Sequence, residues 1–324
     1  MEPVIVHGCH FYNEDCISGA QRHLEDNSVD LIITDPPYGI RGDTLHQHYN
    51  RNERCVIPGY VEIPDCEYAD FSIRWIAEAE RVLRPGGSLY IVSGYTNLYH
   101  ILHALKQTSL AEVNHIIWKF RFGVFTKKKY VSSHYHILFY EKPGGKRVFN
   151  TESRYGLAEK TENGRSPNTS DREDVWAINR EYKPGQQKNK NELPKALLTK
   201  MLQYSSNEGD TVCDFFLGGF STAEVAIGLN RRVIGFEISK QMFVTKIRTL
   251  KLLVPGSLLD TLRSPVVKRN RNEGQRWTAR ERAALATRYT VLREGKRPKK
   301  EIVAILCKEF GRGRFAIEKA LQNL

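Results

Sequence analysis

The chain has 324 residues, 40% of them apolar and 27% charged, enough for one large α/β domain and something smaller. It has no apolar run of about 18 residues and no charged-then-apolar leader, so neither a membrane partner nor a signal peptide is expected and the reading is cytoplasmic. The net charge of +12 sits mostly in the last 59 residues, where 16 Lys and Arg face 6 Asp and Glu, the footprint of a polyanion-binding segment or a solvated basic face.

The six cysteines form no Cys-x-x-Cys pair and read as reduced thiols. A zinc site drawn from Cys9, Cys16, His46, His48, Cys55 and Cys66 has irregular spacing, and no metal is expected. In chain order, His10 to Leu24 reads as a strand end at Phe11-Tyr12, an acidic turn Asn13-Glu14-Asp15-Cys16 and a short helix. Val29-Asp30-Leu31-Ile32-Ile33 has the β-branched, apolar character of a strand buried on both faces. Thr34-Asp35-Pro36-Pro37-Tyr38-Gly39 ends it, because neither proline can donate to a ladder and each disfavours helix before it. The chain therefore leaves the sheet at Asp35 with a stiff backbone and a carboxylate at the strand's C-terminal edge, where open α/β sheets bind ligands.

Such a corner suits methylation of an exocyclic amine on a flat ring. The Asp35 carboxylate and the Pro36 carbonyl can accept hydrogen bonds from the –NH₂ and stabilise positive charge developing on nitrogen. Tyr38 offers a face on which the ring can stack. The plainer reading is a rigid turn with a packed tyrosine.

Residues 39 to 70, with His46, His48, Tyr49, Arg51 and Arg54, show little periodicity and read as a clamp loop or a disordered insertion. Phe71 to Leu83 has helical spacing, Arg84-Pro85-Gly86-Gly87 stops it, and Ser88 to Ser93 is a strand. A helix near Leu98 to Lys106 leads to strands at Val113 to Lys119 and His134 to Tyr140. Between those strands, basic and aromatic residues interleave from Phe120 to Val131. Arg121, Lys127, Lys128 and Lys129 are candidate contacts to phosphates and unstacked bases, a hairpin tip being the bland alternative. Lys146 to Lys190 is polar, with Trp176 and Ile178 as its obvious anchors.

A helix over Asn191 to Tyr204 precedes a strand, Thr211 to Phe216, that carries Asp214. The turn Leu217-Gly218-Gly219-Phe220-Ser221-Thr222 opens a helix at Ala223. The next strand ends in Glu237, 23 residues after Asp214. This is the first half of a nucleotide-binding α/β unit, in which glycines admit a cofactor and the acid can hold two ribose hydroxyls. After a linker at 263–275, Thr278 and Glu281 form a capping box for the first of three short helices. The second opens at Pro298, and Gly311-Arg312-Gly313-Arg314 leads into the third.

Corner, turn, acid and their order together resemble the S-adenosylmethionine-dependent DNA amino-methyltransferases, over about residues 8 to 250. The corner-first order is that of the permuted β class of N6-adenine and N4-cytosine enzymes. The resemblance implies a Rossmann-like, doubly wound, mostly parallel sheet in residues 1–262, with an inserted target-recognition segment at 146–190. It implies catalysis by Asp35, Pro36, Pro37 and Tyr38. It places S-adenosylmethionine against Asp15, Cys16, Asp214, Phe216, Gly218, Gly219, Ser221, Thr222 and Glu237. The family's Asp-Pro-Phe-x-Gly-Ser-Gly-Thr-Thr is matched at Asp214, Phe216, Gly218 and Thr222. Phe215, Gly219, Phe220 and Ser221 depart from it, and Phe220 in place of a glycine challenges the tight packing of the turn. Asp15 and Cys16 match a Gly-Asp-Cys-like turn in which Glu14 replaces the glycine.

Residues 276–324 resemble, more loosely, the Myb/SANT-like helix-turn-helix modules, with Arg312 and Arg314 towards DNA. The implied reaction flips a base from double-stranded DNA and methylates adenine N6, since Asp in the first corner position leans away from cytosine N4. A cytosine N4 enzyme, an RNA amino-methyltransferase, or a DNA-binding regulator with an inactive fold, are the alternatives. A homodimer, a cognate restriction endonuclease and a prokaryotic or phage nucleoid are all compatible with it.

Overall fold

Strands that are apolar on both faces need helices on both sides, and that requirement organises the larger part of the molecule. The computed structural model describes residues 2–39, 63–121, 127–128, 130–181, 192–261, 272, 275–295 and 297–322. The chain divides into two units, Met1–Pro265 and Val266–Leu324.

The first unit begins with β1 (Val4–Val6), β2 (Cys9–Tyr12), α1 (Cys16–His23) and β3 (Val29–Thr34). It continues through α2 (Tyr68–Val82), β4 (Leu83–Ser93), α3 (Leu98–Leu105), β5 (Ala111–Lys119) and β6 (His134–Glu141). The inserted segment supplies α4 (Pro167–Asp171) and β7 (Val175–Ala177). Then come α5 (Lys195–Ser205), β8 (Thr211–Asp214), α6 (Ser221–Gly228), β9 (Arg232–Phe236) and α7 (Lys240–Leu250).

The described strands form one nine-stranded sheet in the order β1-β2-β9-β8-β3-β4-β6-β5-β7. Only β1 and β6 among these run against the rest, so the sheet is mostly parallel, as the sequence implied. One face is covered by α5, α6 and α7 through Leu197, Met201, Ala226, Phe243 and Ile247. The other is covered by α1, α2 and α3 through Ala20, Trp75, Ile76, Ala79 and Ile101. β3 lies at the centre, with Leu31 and Ile33 packed into the first core and Val29 and Ile32 into the second.

One local expectation changes. Arg84-Pro85-Gly86-Gly87 does not separate helix from strand: β4 begins at Leu83, and its pairing to β3 jumps from Val29–Leu83 to Leu31–Ser88, so this run bulges within the strand. Within residues 146–190, where the sequence offers only Trp176 and Ile178 as anchors, β7 adds a strand to the sheet by pairing in parallel with β5 through Trp118 and Trp176. The loop carrying His46, His48, Tyr49, Arg51 and Arg54 lies outside the described residues, as does most of the linker. Among the described residues no helix is long and apolar enough to cross a membrane and no His, Cys, Asp and Glu group could hold a metal.

The second unit is α8 (Ala279–Glu294), α9 (Lys299–Phe310) and α10 (Arg314–Gln322) around Leu285, Ile302, Leu306 and Ile317. The expected capping box is formed in both directions, between Thr278 and Glu281.

Candidate active site

β3 and β8 are neighbours and parallel, so the corner after β3 and the glycine-rich turn after β8 emerge side by side at the C-terminal edge of the sheet. A single cavity there is lined by Asp15, Cys16, Asp35, Pro36, Pro37, Tyr38, Asp214, Phe216, Gly218, Gly219, Ser221, Thr222 and Glu237. Residues separated by about 180 positions in sequence thus share one space.

The corner is held by its own carbonyls. Tyr68 Oη donates to the Pro37 carbonyl (2.7 Å), and Asn97 Nδ2 donates to the Tyr38 carbonyl (2.8 Å). Gly39 follows at φ +64°, and a β-carbon there would collide with Asn97 Nδ2 and the Tyr68 ring. No hydrogen bond from a described residue reaches the Pro36 carbonyl. Asp35 Oδ1 is likewise buried without a partner among the described residues. These are the two acceptors that the chemistry of an amine requires.

Burial pushes the Asp35 carboxyl up to about 8; Tyr38's hydrogen bond and the charge of Arg180 pull it down, while Asp214 pushes it up. The Tyr38 ring stacks on Tyr135 of β6 at 5.5 Å between centroids. Tyr68, Asn97 and Tyr135 were not legible as site residues. Asn97 precedes an apolar helix and reads as its cap, yet its side chain makes no capping bond and turns to the corner instead.

Asp214 ties the two motifs together. Its Oδ1 accepts from Thr34 Oγ1 at the end of β3 (2.9 Å) and from the Phe216 N–H (3.0 Å), and Thr222 at the start of α6 also donates to the carboxylate. Burial still raises it to about 6. Glu237 accepts from Gly218 N–H (2.8 Å) and Ser239 N–H (2.7 Å), and burial raises it to about 7. Each of its oxygens keeps capacity for another donor. Asp15 caps α1 by accepting from Ser18 N–H at 2.9 Å, and burial lifts the Cys16 thiol well above its ordinary value.

Phe220, where the family has glycine, sits in the left-handed region (φ +61°, ψ 18°) and ends the turn as the residue before α6. Its ring is fully buried between Phe11 and Phe243, so the turn keeps its glycine-like conformation with a large side chain filling the core beneath. Glu192, whose side chain touches Gly219 and pairs with Lys246 (2.8 Å), and Met242 also line the cavity and were not singled out by sequence.

The candidate nucleic-acid contacts behave differently. Arg121, Lys127 and Lys128 are exposed and do not line the cavity, and Lys129 lies outside the described residues. Arg314 is 69% exposed, paired with Glu318 one helical turn on. Arg312 requires a correction: at 3% exposure its guanidinium stacks over Trp277 (4.2 Å), pairs with Glu281 (3.1 Å) and donates to the Gln275 carbonyl (2.6 Å). It ties the turn between α9 and α10 to the start of α8 and does not face outward.

Comparison with known proteins agrees with this geometry. The family model of the N6/N4 DNA methylases matches residues 29–246. Type II methyltransferase M.HpaI of Haemophilus parainfluenzae is 33% identical over 231 residues, covering 68% of both chains. DNA adenine methyltransferase YhdJ of Escherichia coli (strain K12) is 32% identical over 248 residues, covering 71% of this chain and 78% of that one. TTHA0409 of Thermus thermophilus, crystallised with S-adenosyl-L-methionine, shares the fold: TM-score 0.54 and 22% identity over 76% of this chain and 94% of that one. The chain belongs to the N6/N4 DNA methylase family.

Proposed function

We propose that this protein transfers a methyl group from S-adenosylmethionine to the N6 amine of an adenine flipped out of duplex DNA. The observation that carries the reading is the shared cavity, in which the buried, unpartnered Asp35 Oδ1 lies beside a glycine-rich turn and an acidic strand end. The residues fit the cofactor: Glu237 retains acceptor capacity for ribose hydroxyls, and the turn at Gly218 and Gly219 lets backbone approach closely. When bound, S-adenosylmethionine supplies an electrophilic methyl group on a sulfonium.

The chain's own residues do the rest. Asp35 and the Pro36 carbonyl accept the two amine hydrogens, which favours the pyramidal nitrogen that attacks. Asp35 then faces the positive charge that develops there and can take the proton that leaves. Tyr38, backed by Tyr135, gives the base a stacking face, and Tyr68 and Asn97 keep the corner from relaxing. Aspartate in the first corner position, and a relative named as an adenine methyltransferase, support adenine over cytosine. Residues 146–190 read the target, and the basic tail, through Arg314 and its neighbours, adds affinity for the phosphate backbone.

The test is to incubate the protein with duplex DNA and methyl-labelled S-adenosylmethionine, digest the DNA to nucleosides and identify the labelled one by mass spectrometry. The N6-methyl form of deoxyadenosine is expected. The N4-methyl form of deoxycytidine would overturn the adenine assignment, and no labelled base would overturn the activity.

A further inference from the structure

The inserted segment does more than pair with the sheet edge. Beyond β7, the Ile178 N–H donates to the Lys119 carbonyl (3.0 Å) and Trp118 Nε1 donates to the Ile178 carbonyl (2.7 Å). Asn179 Oδ1 accepts from the Arg121 N–H (3.3 Å). These bonds fix where the next residue, Arg180, emerges.

Its guanidinium lies over an aromatic wall, 4.5 Å from the Phe120 ring centre, 5.0 Å from Tyr135 and 5.9 Å from Trp118. Tyr135 is also the ring on which Tyr38 stacks, so the wall under Arg180 runs on into the catalytic corner. Arg180 Nε and Asp35 Oδ1 are both buried without a partner among the described residues. A cation and a carboxylate thus stand at the two ends of one short aromatic wall.

We propose that Arg180 is the counter-charge of Asp35, a positioning residue through which the inserted segment conditions the catalytic carboxylate. The inference rests on the assignment of Asp35 to the amine. It gives the insertion a second role, because the segment proposed to read DNA also carries the cation that works against burial and favours the ionised form of Asp35.

The surroundings leave that role to few groups. Tyr38 faces Asp35 from its own loop, Asp214 from the end of β8 and Arg180 from beyond β7. Glu14, Asp15, Glu192 and Glu237 line the same cavity, and all are acids. His100 of α3 lies against Tyr68. His134 and His136 alternate with Tyr135 along β6 and so point to the other face of the sheet, where His115 meets His136. Among the described groups named here, Arg180 is the one whose fixed positive charge favours the ionised carboxylate.

The experiment titrates Asp35 directly, by the ¹³C chemical shift of its carboxyl carbon in aspartate-labelled protein without DNA, assigned by its loss in Asp35→Asn. Arg180→Met keeps the stack on the rings without the charge, Arg180→Gln is an independent second neutral variant, and Arg180→Lys restores the charge. The midpoint is expected to move to higher pH by roughly one unit in the neutral variants and to return towards wild type in Arg180→Lys. The acid limb of the methylation rate should move in parallel. Equal midpoints in wild type and either folded neutral variant would overturn the inference. Asp35→Ala run alongside separates the two levels: methylation by that variant would remove the amine assignment, whereas an inactive Asp35→Ala with unmoved Arg180 midpoints would remove only the counter-charge.

Discussion

At the scale of single residues, the site concentrates buried acids that find few cations. Asp35, Asp214 and Glu237 are raised to about 8, 6 and 7, each chiefly because burial penalises the charged form. A carboxyl raised in the folded state binds more protons there than when unfolded, so its stabilising contribution is lost as pH rises through the folded value. Below neutrality His136, held near 4 by burial and its histidine neighbours, acts in the opposite sense, and Lys200, lowered to about 8, does so in alkali. The ligand-free protein should therefore lose thermal stability between about pH 6.5 and 8, and Asp35→Asn should flatten the upper part of that fall. Melting curves across the window check this, and a melting temperature that rises with pH would contradict the burial of these acids. The corner itself was legible in sequence because two prolines after a buried strand leave the backbone few options. Tyr68 and Asn97 were not, because their roles depend on where α2 and α3 dock, which no local pattern records.

At the scale of elements, the glycine-rich turn shows how a departure from a motif can be absorbed. Phe220 keeps the left-handed backbone that the motif's glycine would adopt and fills the space between Phe11 and Phe243. Phe220→Gly should relieve about 1–2 kcal/mol of backbone strain. It should also lose about 3–5 kcal/mol of burial and packing. A net destabilisation of about 1–4 kcal/mol is expected in urea unfolding, and a neutral or stabilised variant would mean the ring is not packed as described. The helix–turn–strand pattern around this turn was readable from periodicity and glycines. β7 was not, since three residues anchored by Trp176 carry no period of their own, and their strand character comes from pairing with β5. The bulge at Arg84-Pro85-Gly86-Gly87 was misread for a related reason: proline and glycine signal interruption, but a neighbouring strand can carry the chain through it.

At the scale of the whole molecule, two units divide the charge unevenly, with the basic residues concentrated after Val266. Truncation after Ser264 should weaken DNA binding and flatten its log–log salt dependence by several units, since each neutralised phosphate contributes about −0.9 to the slope. A salt titration of full-length and truncated protein checks this, and equal affinities with parallel lines would make the tail a structural or protein-binding appendage. The burial of Arg312 already shows that not every basic residue in the tail belongs to such a surface. The larger unit joins corner and cofactor turn through neighbouring parallel strands, and the claim that this joint cavity performs methylation rests most heavily on Asp35. The direct measurement is single-turnover methyl transfer to duplex DNA by Asp35→Ala, with S-adenosylmethionine affinity measured by calorimetry on the same preparation. Transfer should be abolished while affinity stays within a few-fold of wild type, because the cofactor is held from Glu237 and the turn. Transfer within about tenfold of wild type, equivalent to about 1.4 kcal/mol of barrier or less, would contradict the assignment.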